Sequence, residues 1–191
     1  MTAHVEDSTV ELQAQRDRDS IAACLAGRTS AFDSLVKAHQ RGVFYLVRRY
    51  VRVDADAADV TQQAFVRAFR ALAQFRGDAT PRSWLYRIAI NCALSWLRDH
   101  KREIATEIAD NMWVAEATGA SDLVEAQRKA TLRAAIAQLP PKQRQIVELR
   151  VFDDLSFREV AQIAECNENT AKVNFHHALQ RLRALLPDGA P

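Results

Sequence analysis

Beyond residue 30, apolar side chains return every three or four positions and no stretch alternates with a period of two, so the pattern predicts helices and no sheet. A first helix is expected from Ser30, an N-cap with Asp33 at the third helical position, to about Gln40. A second follows, with Val43, Leu46, Val47, Tyr50 and Val51 on one face, and Val60, Phe65, Phe69 and Leu72 mark another. After the loop Phe75-Arg76-Gly77-Asp78-Ala79, Thr80 can cap a helix and Pro81 can take its first position, where a missing N–H has no intrahelical partner to lose. That helix is expected to bury Trp84, Leu85, Ile88, Ala89, Cys92 and Trp96.

Further on, Leu123 to Leu139 predicts one helix, ended by Pro140-Pro141 because proline offers no N–H and clashes with the preceding turn. The next begins at Lys142 and runs to Val151. Ser156-Phe157-Arg158-Glu159 is a capping box opening a short helix through Ala164, and Glu165-Cys166-Asn167 is a tight turn with Asn167 as N-cap. The last helix carries Ala171, Phe175, Ala178, Leu182 and Leu185 on its apolar stripe. A short helix, a three-residue turn and a longer amphipathic helix are the parts of a helix-turn-helix.

Charge resolves this series into segments. The chain has 191 residues and a formal net charge of +2, which says little. Residues 1–30 carry −2, residues 31–102 carry +7, residues 103–125 hold six acids and no Lys or Arg, and residues 126–191 carry +3. Two basic modules flanking an acidic joint suit two polyanion-facing units and a linker that avoids the polyanion. Ala117-Thr118-Gly119-Ala120-Ser121 places the joint. The expected architecture is therefore all-α, with an N-terminal extension (1–29), a first helical domain (30–102), a flexible acidic linker (103–121) and a helix-turn-helix domain (122–187). Met112 and Trp113 in the linker either dock on a partner or cover a nearby apolar surface.

Cys24, Cys92 and Cys166 lack the spacing of a zinc site or a disulfide framework and read as buried free thiols. With neither a signal sequence nor an apolar run of about 18 residues, a soluble cytoplasmic protein without a membrane span is expected.

The exposed faces suggest binding. Glu168, Asn169, Lys172, Val173, Asn174, His176, His177 and Gln180 remain outside the last helix's apolar stripe. Asn can pair bidentately with adenine, and Lys can reach guanine or a phosphate, although a solvated face has a similar composition. His176 and His177 point about 100° apart with no Cys or carboxylate at i+3 or i+4, so no metal is expected there. Arg82, Tyr86, Arg87, Asn91 and Arg98 behind the Gly77-Asp78 loop suit unstacked bases, with Tyr86 and Trp84 equally open to a place in the core. Asp59, Gln62, Gln63, Val66 and Arg70 form a mixed polar face, either a protein-docking surface or ordinary solvated helix.

These motifs resemble the extracytoplasmic-function (ECF) group of bacterial RNA polymerase sigma factors over roughly residues 30–102 and 122–186. Asp59-Val60-Thr61-Gln62-Gln63-Ala64-Phe65-Val66-Arg67-Ala68-Phe69-Arg70 is similar to that family's region 2.2. The resemblance implies that Asp59, Gln62, Gln63, Val66 and Arg70 bind the β′ clamp helices of core RNA polymerase, which also contacts the factor through β. Phe75-Arg76-Gly77-Asp78 with Ser83-Trp84-Leu85-Tyr86-Arg87-Ile88-Ala89 and Asn91 is similar to the loop and helix that capture a flipped −10 base. It implies −10 contacts by Arg76, Gly77, Asp78, Arg82, Tyr86, Arg87 and Asn91. Leu139-Pro140-Pro141-Lys142-Gln143-Arg144 and the helix-turn-helix ending at Arg183 are similar to region 4, implying −35 contacts by Asn169, Thr170, Lys172, Val173, Asn174, His176, His177 and Arg181. The family further implies promoter DNA and an anti-sigma factor as partners, with no cofactor, metal or covalent chemistry.

Two positions depart from the pattern. Gln63 stands where the family commonly has an acid, and Lys172-Val173-Asn174 where many relatives have Lys/Arg-Ser-Arg, so fewer phosphate contacts and different −35 base preferences are implied. The competing readings are a stand-alone helix-turn-helix regulator, which needs no polymerase, and an enzyme using Cys92 or the His pair, for which no base and nucleophile arrangement is present.

Overall fold

The computed structural model describes residues 2–100 and 120–186, and it divides the chain into two compact units, Met1–Glu103 and Ile104–Pro191. The described residues are helices and their connections, with no strand among them. None of these helices is long and apolar enough to cross a membrane. The linker expected at 103–121, with Met112 and Trp113, lies outside the described residues except for its last two positions.

In the first unit, α1 (Thr2–Leu25), α2 (Phe32–Arg48), α3 (Asp54–Ala71) and α4 (Pro81–Asp99) pack around one core. The segment expected as an extension is therefore part of the fold: Ile21 and Cys24 of α1 are buried. Asp17 Oδ2 meets His39 Nε2 of α2 at 2.6 Å, with both residues buried, and Gln13 Nε2 donates to Asp17 Oδ1 at 2.8 Å. Gly27 ends α1 with φ +97°, and Arg28 N–H donates back to the Ala23 carbonyl, a glycine stop that only a residue without Cβ adopts at low cost.

Two expectations fail here. Ser30 caps nothing, because residues Thr29–Ala31 form a 3-10 turn that delivers Phe32 into the core as the first residue of α2. The Phe32 ring meets Phe65 and Phe69 edge-on at 6.5 and 5.1 Å. Nor is there a break near Gln40: α2 runs unbroken through Gly42. Arg48 then staples the turn into α3, bonding the Val51 carbonyl at 3.2 Å and pairing with Asp54.

The seam between α3 and α4 is built largely from small residues, with Ala57, Ala64 and Ala68 on α3 and Ala89 and Ala93 on α4 all fully buried, which lets the two backbones approach. Thr80 caps α4 by accepting from Ser83 N–H at 3.2 Å, with Pro81 at the first position as expected. The buried arc of α4 is broader than expected and turned: Tyr86, Ile90 and Ala93 join Leu85, Ala89 and Cys92, while Trp84, Ile88 and Trp96 are only partly buried.

In the second unit, α5 (Ala120–Ala137), α6 (Pro141–Val151), α7 (Phe157–Ile163) and α8 (Glu168–Leu185) enclose Ala135, Ile136, Leu139, Val147, Ala178 and Leu182. Arg144 of α6 covers the open end of α5 by donating to the Ala137 and Leu139 carbonyls. Lys142 donates to the Ala164 carbonyl behind α7. The capping box is present in both directions, and Asn167 Oδ1 accepts from Thr170 N–H at 2.7 Å. Between these caps, Cys166 N–H reaches back to the Ala161 carbonyl while Glu165 takes φ +50°, a left-handed stop normally given to glycine. Leu185, expected in the stripe, is 41% exposed because α8 outruns the core at its end.

Candidate nucleic-acid interface

Three exposed faces carry the residues singled out by sequence, and each is held by local geometry. On α3, Asp59, Gln62, Gln63, Val66 and Arg70 lie within one arc of the helix, with the partly exposed Phe69 at its edge. Val66 is 50% exposed, so an apolar side chain sits in the middle of a polar strip on the face opposite the buried Val60 and Ala64.

Ahead of α4, Arg76, Gly77 and Asp78 form an exposed loop in which Gly77 has φ +80°. No heavy atom lies within 4 Å of a Cβ built there, so the backbone conformation alone asks for glycine. The Phe75 ring packs edge-on against Trp84 at 5.3 Å, tying the loop to the start of α4. Behind it, Arg87, Asn91 and Arg98 are exposed on one stripe. Arg82 and Tyr86 are not on that stripe. Tyr86 is 2% exposed and turned towards α2, with Arg82 over its ring at 5.2 Å, so of the two places left open by the sequence its ring occupies the one in the core. The sequence could not separate these roles, since an aromatic beside basic residues occurs in both settings.

On α8, Asn169, Lys172, Val173, His176, His177 and Arg181 are exposed, and Thr170 and Asn174 are partly buried. Several polar atoms already have partners. Lys172 Nζ pairs with Glu168 at 2.7 Å, Asn174 Nδ2 donates to the Thr170 carbonyl at 2.9 Å, and His176 meets Gln180 at 3.1 Å. Lys172 also lies over the Phe157 ring at 6.0 Å, with Arg150 at 5.4 Å. Phe157 therefore gathers two cations from α6 and α8 beside the turn, a cluster that sequence reasoning missed because its members stand far apart in the chain. Of the cysteines, Cys24 and Cys92 are buried, but Cys166 is only partly so. Burial pushes the Cys92 thiol above its ordinary pKa, with Arg67 pulling the other way.

Residues 35–103 match the family described as Sigma-70 region 2, and residues 129–182 match Sigma-70, region 4. The chain is 33% identical over 187 residues to the RNA polymerase sigma-H factor of Pseudomonas aeruginosa, spanning 92% of this chain and 97% of that protein. It is 35% identical over 170 residues to the ECF RNA polymerase sigma-E factor of Escherichia coli, spanning 82% and 86%. The chain belongs to the ECF sigma factor family.

As a sigma factor it binds DNA and acts with RNA polymerase in transcription initiation, without enzymatic chemistry of its own. Its fold is also seen in solved structures. CnrH, in complex with the cytosolic domain of CnrY, aligns with a TM-score of 0.66 at 25% identity, covering 92% of this chain and 99% of that one. The sigma factor RpoE in complex with the anti-sigma factor NepR from Bartonella quintana aligns with a TM-score of 0.64 at 20% identity, over 83% and 98%.

Proposed function

We propose a division of labour among the three faces of this sigma factor. The α3 strip of Asp59, Gln62, Gln63, Val66 and Arg70 docks on core RNA polymerase. Arg76, Gly77 and Asp78, together with Arg87 and Asn91, hold the unstacked −10 strand, with Arg82 reaching the same DNA from the α2 side. Asn169, Thr170, Lys172, Val173, Asn174, His176, His177 and Arg181 form the α8 surface for the −35 element, and Phe157 steadies the cations beside it. The observation that carries the reading is the loop and stripe at α4: a glycine-turned loop with exposed Arg76 and Asp78, set before a helix whose exposed edge offers Arg87 and Asn91. A loop of this kind suits a base turned out of the stack, and the adjacent cation suits its phosphate. Stabilising unstacked bases offsets the few kcal/mol that opening costs.

The other partner is an anti-sigma factor, as is bound by the sigma factor RpoE from Bartonella quintana, a chain of the same fold. The site of action is the cytoplasm, where polymerase and promoter DNA meet. Transcription in vitro with purified core polymerase and a promoter library tests the whole. Asn91→Ala is expected to slow promoter opening more than −35 capture, and equal loss at both steps would remove Asn91 from the −10 site.

A further inference from the structure

The outward face of α2 carries a feature that none of these roles uses. Lys37, Arg41 and Tyr45 follow one another at intervals of four, on the side opposite the buried Leu35, His39, Val43 and Leu46. All three are exposed, Tyr45 by 54%, and the Arg41 guanidinium lies over the Tyr45 ring at 5.7 Å. Asp33 in the first turn is the helix's only acid. Four-residue steps of about 6 Å give the strip a length of about 12 Å, the rise of three to four nucleotides along one strand of a duplex.

The helix that carries this strip packs against α4 of the proposed −10 module. A Cβ built on Gly42, the residue after Arg41, would lie 2.5 Å from the Tyr86 hydroxyl, so α2 and α4 approach closely at that point. Tyr86 in turn carries Arg82 over its ring. A cation of α4 thus sits at this seam, and Arg41 of α2 stands one residue from it.

We infer that Lys37 and Arg41 of α2, with Tyr45 as their apolar footing, form an additional DNA-backbone site that grips promoter phosphates adjoining the −10 element across the α2–α4 seam. The inference rests on the −10 assignment of α4. Phosphate is the occupant that fits because the two cations and the flat ring outweigh the one acid in line with them, Asp33, which is exposed one turn before Lys37 at the end of the strip. An acidic protein surface is the competing occupant, and it has a different signature: it would change affinity for core polymerase and leave the salt dependence of DNA binding untouched.

The experiment uses the full chain assembled with core polymerase and duplex promoter DNA selected by the wild-type holoenzyme from a randomised library. Lys37→Gln/Arg41→Gln is compared with Arg87→Gln, after both variants are shown to melt like wild type. With the two cations removed, the slope of log affinity against log salt should fall by almost two units, at about 0.9 for each phosphate no longer neutralised, with core affinity unchanged. An unchanged slope beside a reduced slope for Arg87→Gln would overturn the α2 site and leave the −10 reading standing. A drop in core affinity at an unchanged slope would overturn it in favour of a protein partner. No change in slope for either variant would remove both.

Discussion

Gly42 and Tyr86 give the sharpest test of the packing between α2 and α4. In the middle of a helix, Gly→Ala ordinarily stabilises by about 0.8–1 kcal/mol, because alanine restricts the unfolded chain and favours the helix. At Gly42 the new methyl would meet the Tyr86 oxygen at 2.5 Å, closer than two such atoms approach in folded proteins. The tyrosine is 2% exposed and has little room to retreat, so overpacking of about 1–3 kcal/mol is expected. Gly42→Ala should therefore destabilise the first unit by about 1 kcal/mol. The next atom, Tyr86 Cζ, lies at 3.6 Å, which is ordinary contact. In a Tyr86→Phe background the same Gly42→Ala change should instead stabilise by about 1 kcal/mol, giving a coupling of about 2 kcal/mol in the double-mutant cycle. Urea unfolding of the full chain carrying Trp113→Phe, followed by tryptophan fluorescence, reads this directly, because the two remaining tryptophans, Trp84 and Trp96, lie in the first unit. If Gly42→Ala stabilises both backgrounds alike, the close approach is absent and the placement of Tyr86 against α2 is wrong. Because the ring serves the core, Tyr86→Leu should weaken −10 binding only as far as it destabilises the first unit. A tenfold fall in −10 affinity at unchanged stability would restore the ring to the DNA site.

Two further outcomes follow from paired side chains. Asp17→Ala leaves His39 buried without its partner and should destabilise the first unit by about 3 kcal/mol, the usual cost of breaking one side of a buried pair; a thermal shift equivalent to less than about 1 kcal/mol would mean that α1 is not anchored there. Glu168→Gln frees Lys172 from its 2.7 Å partner and removes an acid from the face proposed for the −35 element, so −35 affinity should rise about two- to fivefold at low salt. Unchanged affinity in a filter-binding or anisotropy assay of the holoenzyme would show that Lys172 does not reach the phosphates.

How much of this was written in the sequence depended on how far apart the partners stand. The caps at Thr80, Ser156 and Asn167 close within three residues, and their hydrogen bonds lie where the residue types put them. Helix content followed from the spacing of apolar residues, a signal repeated along each element. Ser30 had the same cap chemistry and failed, because Gly27 closes α1 just before it and Phe32 is drawn onto Phe69, so tertiary packing set the helix start. Residues 1–29 stand in the sequence as an extension outside the basic module, yet a buried Asp17–His39 contact across 22 positions ties α1 to the core.

At the site, the same distinction sorted the residues by the face they occupy and not by their type. Arg82, Tyr86, Arg87 and Asn91 stand within ten positions, and composition treats them as one group. The broader buried arc of α4 divides them, sending Arg87 and Asn91 outward and Tyr86 with Arg82 towards Gly42. That division depends on where α2 lies, which no pattern within α4 can report. It also gives the seam its functional interest: where Gly42 lets two helices touch, it separates the side chains proposed to hold the −10 strand together from the pair that packs at the seam.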